Sequence, residues 1–189
     1  MDDQSREGSP VSARAGYCLV CGARLTTVRE EGRPRRRCPR CRWTFYDNPV
    51  PAVVAIVERG ARILLTRRAA APYAGTWDLP GGFLESGELP ERGLLRELRE
   101  ELGTRATIGR FHSFSIDRYG PGGIPILAMV YVARLAGPPV AGSDVAEVRW
   151  FRRDEIPWRL IGFASIRRTL REYLGKPARP RARAPRARR

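Results

Sequence analysis

A chain of 189 residues suits one domain of ordinary size with a small module attached. With 42% hydrophobic residues it can build a core, which excludes a wholly disordered chain. No apolar run approaches the ~20 residues that cross a bilayer, and residues 1–16 lack the basic-then-apolar layout of a signal peptide. The expectation is a cytoplasmic protein with no membrane partner.

The net charge is +15, from 35 basic and 20 acidic residues. Seven of the basic residues lie in residues 176–189, KPARPRARAPRARR, with only Ala and Pro between them. Such a Pro-broken, like-charged run cannot bury apolar area and is expected to be a disordered tail. A solvated tail and an electrostatic arm making weak nucleic-acid contact both fit it.

In chain order, residues 1–16 read as a flexible leader. Residues 17–46 contain every cysteine, spaced Cys18-x2-Cys21-x16-Cys38-x2-Cys41. Two thiolate pairs on separate turns form a tetrahedral soft-ligand shell that suits structural zinc, with no spare ligand and no catalytic opening. The lack of an export signal argues against disulfides. Asp47-Asn48-Pro49 is turn chemistry and marks a boundary.

Residues 52–58 and 62–68 read as a β-hairpin about Arg59-Gly60. Residues 72–82, rich in Gly and Pro, read as a loop. Residues 90–102 read as a helix, with Pro90 at its first position, Leu94, Leu98 and Leu102 as one apolar stripe, and Gly103 as its stop. Strands are expected at 106–119, 124–135 and 145–151, and a last helix at 163–174. The mixture of elements predicts an α/β fold, a mixed sheet with helices on its faces.

The helix carries Glu97, Glu100 and Glu101 at i, i+3 and i+4, on one face. Arg92, Arg96 and Arg99 on the same helix allow a plain salt-bridged surface. The wider pattern favours chemistry: Gly81-Gly82 precede the helix and let backbone approach a metal or phosphate. Glu88 stands at the helix entry, where it can pair with Arg96. Clustered hard oxygen ligands suit magnesium or manganese.

Gly82-x5-Glu88-x7-Arg96-Glu97-Leu98-x-Glu100-Glu101-x-Gly103 resembles the Nudix box, departing from it only at Thr104, where the box has an aliphatic residue. The cysteine module, Tyr46-x-Asn48-Pro49, Gly75-x-Trp77-x-Leu79-Pro80-Gly81-Gly82 and Asp154-Glu155-Ile156-Pro157 extend the likeness to zinc-ribbon Nudix hydrolases over most of residues 17–174. The resemblance implies a zinc ribbon at 17–46 and a Nudix α/β/α sandwich at 50–174. It implies that Glu97, Glu100, Glu101 and the Gly81 carbonyl hold Mg2+ or Mn2+, and that Glu88 and Arg96 pair and orient them. Catalysis falls to Glu100 or Glu101 as the base, with Glu147 as an alternative base or additional ligand. His112 reads as a strand residue.

The implied reaction is attack of water on a phosphorus of a nucleoside diphosphate linked to a further group. The S-Q-P-W-P-F-P-type signature of NADH pyrophosphatases is missing, since residues 111–119 read FHSFSIDRY. The last stretch, with Phe163-Ala164-Ser165, looks more like members that cleave ADP-ribose or FAD. Tyr73, Trp77, Phe114, Tyr119 and Phe163 are candidates to stack on a base or to sit in the core. Family members are often homodimers. The competing expectation is a nucleotide-sensing or nucleic-acid-binding module using ribbon and tail.

Overall fold

The computed structural model describes residues 15–120, 123–142 and 144–175. The leader up to residue 14 and the tail at 176–189 lie outside them. The first sheet is antiparallel and three-stranded, β1 (Thr26–Glu30), β2 (Arg33–Arg37) and β3 (Thr44–Phe45), in that order. Its buried apolar cluster among the described residues is Cys18, Leu25 and Cys38, with Trp43 and Phe45 packed against them. So small a core needs a crosslink or a metal to hold it.

The second sheet contains β4 (Val50–Arg59), β5 (Arg62–Arg68), β6 (Trp77–Asp78), β7 (Gly81–Phe83), β8 (Ala106–Tyr119), β9 (Ile124–Leu135) and β10 (Val145–Arg152). Its order is β10-β5-β4-β9-β8, with β6 on β5 and β7 on β4. Only β4 and β9 run parallel. Helices α1 (Pro90–Leu102) and α2 (Ala164–Gly175) cover opposite faces.

Side-chain alternation on β4 sets the two layers. Val53, Ala55 and Val57 meet Leu94, Leu98 and Leu102 of α1, while Ile56 meets Ile166 and Leu170 of α2. A strand buried on both faces reads as a continuous apolar run, which residues 52–57 do. Among the described residues no helix is long and apolar enough to cross a membrane.

The segment expected to be a loop at 72–82 contains two short strands. The cause is the hairpin: β4 and β5 pair only at Glu58↔Ile63 and Arg59↔Arg62, then part. Past that point β4 takes β7 as its partner at Val54↔Gly81 and Val53↔Gly82, and β5 takes β6 at Thr66↔Asp78. Backbone groups exposed by the divergence are thereby satisfied, and Gly81-Gly82 are drawn into the sheet beside α1. Helix α2 begins at Ala164, one residue later than expected, leaving Phe163 ahead of the helix.

Candidate active site

The two C-x-x-C segments share one shape. The Gly22 N–H bonds the Cys18 carbonyl at 2.9 Å, and the Arg42 N–H bonds the Cys38 carbonyl at 3.0 Å. Both Gly22 and Arg42 take positive φ to close these turns. The four sulfurs lie within 4.8 Å of one another, and Cys18–Cys41 and Cys21–Cys38 are 3.5 Å apart. Tetrahedral zinc with Zn–S near 2.3 Å places its sulfurs about 3.8 Å apart. The cluster fits a zinc ribbon, and its thiols are free rather than disulfide-bonded.

On α1 the guanidinium of Arg96 is the hub. Its Nε and Nη2 bond both oxygens of Glu88 at 3.0 and 2.9 Å, and Nη2 also bonds the Phe83 carbonyl at 3.0 Å. Its Nη1 reaches Glu97 at 2.8 Å and Glu100 at 3.2 Å. This two-pronged grip holds the Glu88 carboxyl below the usual carboxylate range, and Glu88 in return raises the Arg96 pKa. Gly93 lets the helix close on this pair, since a β-carbon there would stand 2.8 Å from Glu88 Oε2.

Glu101 faces inward and is buried. Its Oε2 accepts the Gly81 N–H at 2.9 Å. Burial pushes its carboxyl up to about 9, reinforced by Asp144, Glu97 and Asp78. Burial likewise raises Glu97, against the pull of Arg96. Carboxylates packed this closely call for a countercation, and all-oxygen donors fit a hard divalent ion.

At the two positions facing them, backbone demands glycine at 81, and glycine at 82 leaves room for the Glu97 carboxyl. Gly81 has φ +139, and a β-carbon there would lie 2.1 Å from the Val53 carbonyl oxygen; at Gly82 it would lie 2.6 Å from the Glu97 carboxyl.

A cavity of about 330 Å³ opens beside these groups, at the lower end of ligand-site volumes. Gly81, Gly82, Glu97 and Glu101 line it. Glu100 does not; its half-exposed carboxylate stays on Arg96. Glu147, expected as a further base or ligand, is also outside the lining. It is half-exposed on β10 and pairs with Arg67 at 3.5 Å. The acid that β10 brings to the cavity is Asp144, just before the strand. His112 packs edge-on against Tyr173 and does not line the cavity.

Of the five aromatics, Tyr119 and Phe163 line the cavity. Their rings are nearly parallel, 10° between planes and 6.1 Å between centroids. Trp77 is core, Phe114 is exposed, and Tyr73 packs edge-on against Phe163.

Sequence reading missed Arg68, Asp78, Ser115, Asp117, Asp144 and Ser165. Arg68 bonds the Pro72 carbonyl at 2.8 Å, Asp78 at 3.5 Å and the Tyr119 hydroxyl at 3.3 Å. Burial lifts Asp78 to about 7 even against that cation. Only alternation along β8 hinted at this wall: Ser115, Asp117 and Tyr119 stand at i, i+2 and i+4.

The NUDIX domain model matches residues 48–173. The chain belongs to the Nudix family. That places it among the Nudix hydrolases, pyrophosphatases that act on phosphoric anhydride bonds.

A Nudix hydrolase from Nitrosomonas europaea, known from its crystal structure, is 34% identical with a TM-score of 0.72, over 84% of this chain and 90% of that one. ADP-ribose pyrophosphatase from Methanocaldococcus jannaschii is 31% identical over 121 residues, 61% of this chain and 69% of that protein. NAD-capped RNA hydrolase NudC from Deinococcus radiodurans is 31% identical over 165 residues, 84% of this chain and 56% of that protein. The Nudix chain thus spans about half the length of the NAD-capped RNA hydrolases it matches.

Proposed function

We propose that this Nudix hydrolase cleaves the pyrophosphate of a nucleoside diphosphate joined to a further group, with ADP-ribose, FAD or a related dinucleotide as substrate. The carrying observation is that Gly81-Gly82, Glu97 and Glu101 face one cavity that Tyr119 and Phe163 also line. One part of it suits a cation-bridged pyrophosphate and the other a flat base. The ADP-ribose pyrophosphatase from Methanocaldococcus jannaschii supports this choice.

Mg2+ or Mn2+ held by Glu97, Glu100, Glu101 and the Gly81 carbonyl would neutralise phosphate oxygens and lower the pKa of a bound water. The chain supplies the rest. Arg96 and Glu88 fix the glutamates in place. Glu101, buried and bonded to the Gly81 N–H, serves as a ligand. Glu100 takes the proton from the attacking water once its half-exposed carboxylate leaves Arg96 and turns to the cavity. Stacked rings hold the base so that the phosphorus meets that water. The four cysteines hold one structural zinc, which elemental analysis should return at one per chain.

Turnover of ADP-ribose, FAD, NADH, diadenosine polyphosphates and nucleoside triphosphates with each ion tests the reading. Release of AMP from one dinucleotide is the expected result. Glu100→Gln should lower kcat by about 10³-fold with an unchanged melting curve. Undiminished turnover in that variant defeats the assignment.

A second reading, nucleic-acid contact, draws on the ribbon, where Arg24, Arg29, Arg33, Arg40 and Arg42 are all exposed. Affinity for RNA that falls steeply with salt, and falls again when residues 176–189 are removed, is its signature.

A further inference from the structure

Part of the cavity lining away from α1 in the chain is chemically distinct from a phosphate site. Ser115, Asp117 and Tyr119 point to the same side of β8. The neighbouring strands offer a floor of small side chains, with Ser115 beside Ala128 and Ala128 beside Ala52. Ser165, in the first turn of α2, lines the cavity beside Phe163.

Ser115 and Ser165 are 7% and 4% exposed, and both line the cavity. A serine hydroxyl both donates and accepts, which suits a ligand hydroxyl.

Asp117 is rigidly held. Its Oδ2 accepts the Ser165 N–H at 3.0 Å and its Oδ1 accepts the Arg118 N–H at 2.7 Å. A carboxylate has about four acceptor sites, so each oxygen keeps one for a ligand. The same contact places a negative charge at the amino end of α2, where an anion would otherwise be drawn.

Among the described residues, Arg68 is the one basic residue lining the cavity. Its guanidinium is already engaged with the Pro72 carbonyl, Asp78 and the Tyr119 hydroxyl. This wall therefore repels a second phosphate and offers acceptors and hydroxyls to a ligand that donates hydrogen bonds through hydroxyl groups.

We infer that Ser115, Asp117 and Ser165 form a sugar-reading subsite that selects substrates carrying a ribose-type diol. A carboxylate accepting from vicinal hydroxyls is the same chemistry by which dinucleotide folds recognise ribose. The inference rests on the nucleoside diphosphate reading above and narrows it to a diphosphate bearing an intact sugar. FAD, whose ribityl chain and ribose both carry hydroxyls, remains within the class. A deoxygenated substrate does not, because a site built to bond a hydroxyl is left with unpaired buried groups when it is missing.

The test uses the full chain and an ADP-ribose whose bridging oxygen is replaced by CH2, which cannot be hydrolysed. Two companions carry the same bridge. One lacks the 2′ and 3′ hydroxyls of the adenosine ribose, and the other lacks the hydroxyls of the terminal ribose. Calorimetric binding in Mg2+ should show one companion about 10- to 100-fold weaker than the parent. Ser115→Ala and Asp117→Asn should each shrink that ratio to about threefold or less. In Asp117→Asn the amide oxygen still accepts the Ser165 N–H, and melting curves check that α2 stays in place.

Equal affinity for all three compounds, no binding of any, or variants that weaken all three alike would each overturn the subsite. Hydrolysis of ordinary ADP-ribose is measured in parallel. Turnover with no hydroxyl preference defeats the subsite alone, whereas preference in binding with no turnover defeats the hydrolase reading alone.

Discussion

The two walls of the cleft arise in different ways. The carboxylate wall comes from one continuous stretch, β7 to α1, in which Gly81, Gly82, Glu88, Arg96, Glu97 and Glu101 are set by helical spacing and one turn. The rest of the lining is assembled from distant segments: Arg68 on β5, Asp78 on β6, Ser115, Asp117 and Tyr119 on β8, Asp144 before β10, and Phe163 and Ser165 at α2. The first wall carries charge and the second is mixed in character; on the proposed reading the first serves the reaction and the second serves recognition. A local wall is suited to chemistry shared across a family, because loops and strand ends elsewhere can vary without disturbing it.

If that division holds, changes to the first wall should strike kcat and changes to the second should strike KM. After Glu100→Gln, the largest departure is expected from Gly82→Ala. Its β-carbon would stand 2.6 Å from the Glu97 carboxyl. Glu97 must swing aside, and a displacement of about 1 Å at a reacting group costs about 10²-fold in kcat. The obstacle is the end of a flexible side chain, so the melting temperature should barely move. Parallel steady-state kinetics and calorimetry would show whether the two effects separate.

Arg96→Lys should come next. A point charge cannot hold both Glu88 oxygens, Glu97, Glu100 and the Phe83 carbonyl at once. Activity is expected to fall about 10- to 100-fold, with a rise in the concentration of divalent ion needed for half-maximal rate. Loss of charged hydrogen bonds should also cost about 1.5–3 kcal/mol of stability, readable by denaturant melting. A variant that kept its metal requirement unchanged would remove Arg96 from the positioning role.

The smallest effect belongs to the recognition wall. Tyr119→Ala deletes one of the two near-parallel rings and the hydroxyl that Arg68 bonds. Base stacking of about 1–3 kcal/mol translates to a KM roughly 5- to 100-fold higher. The kcat for saturating substrate should stay within about threefold of wild type, since uniform binding is what is lost. A fall in kcat with KM unchanged would mean that the ring positions the phosphorus, and the division between walls would fail.

The sequence by itself determined the parts whose geometry is local. Cysteine spacing brought four sulfurs together, because each C-x-x-C turn presents its pair and one hairpin separates the turns. The 3.6-residue period of α1 buried Leu94, Leu98 and Leu102 and, on its other positions, lined up Arg96, Glu97 and Glu100. Strands β8 and β9 were legible on either side of the glycines between them.

Tertiary structure alone decided where the hairpin of β4 and β5 opens, and hence that Trp77–Asp78 and Gly81–Phe83 become strands. It placed Glu147 on Arg67, outside the cavity, and brought in Asp144 instead. It also gathered Arg68, Asp117 and Ser165, which are far apart in the chain, around one space. The physical reason is the same throughout. A helix or a metal knuckle is closed by neighbours within a few residues, and its pattern is written in spacing. A wall made by strand order and helix docking depends on long-range pairing, which no short run of residues encodes.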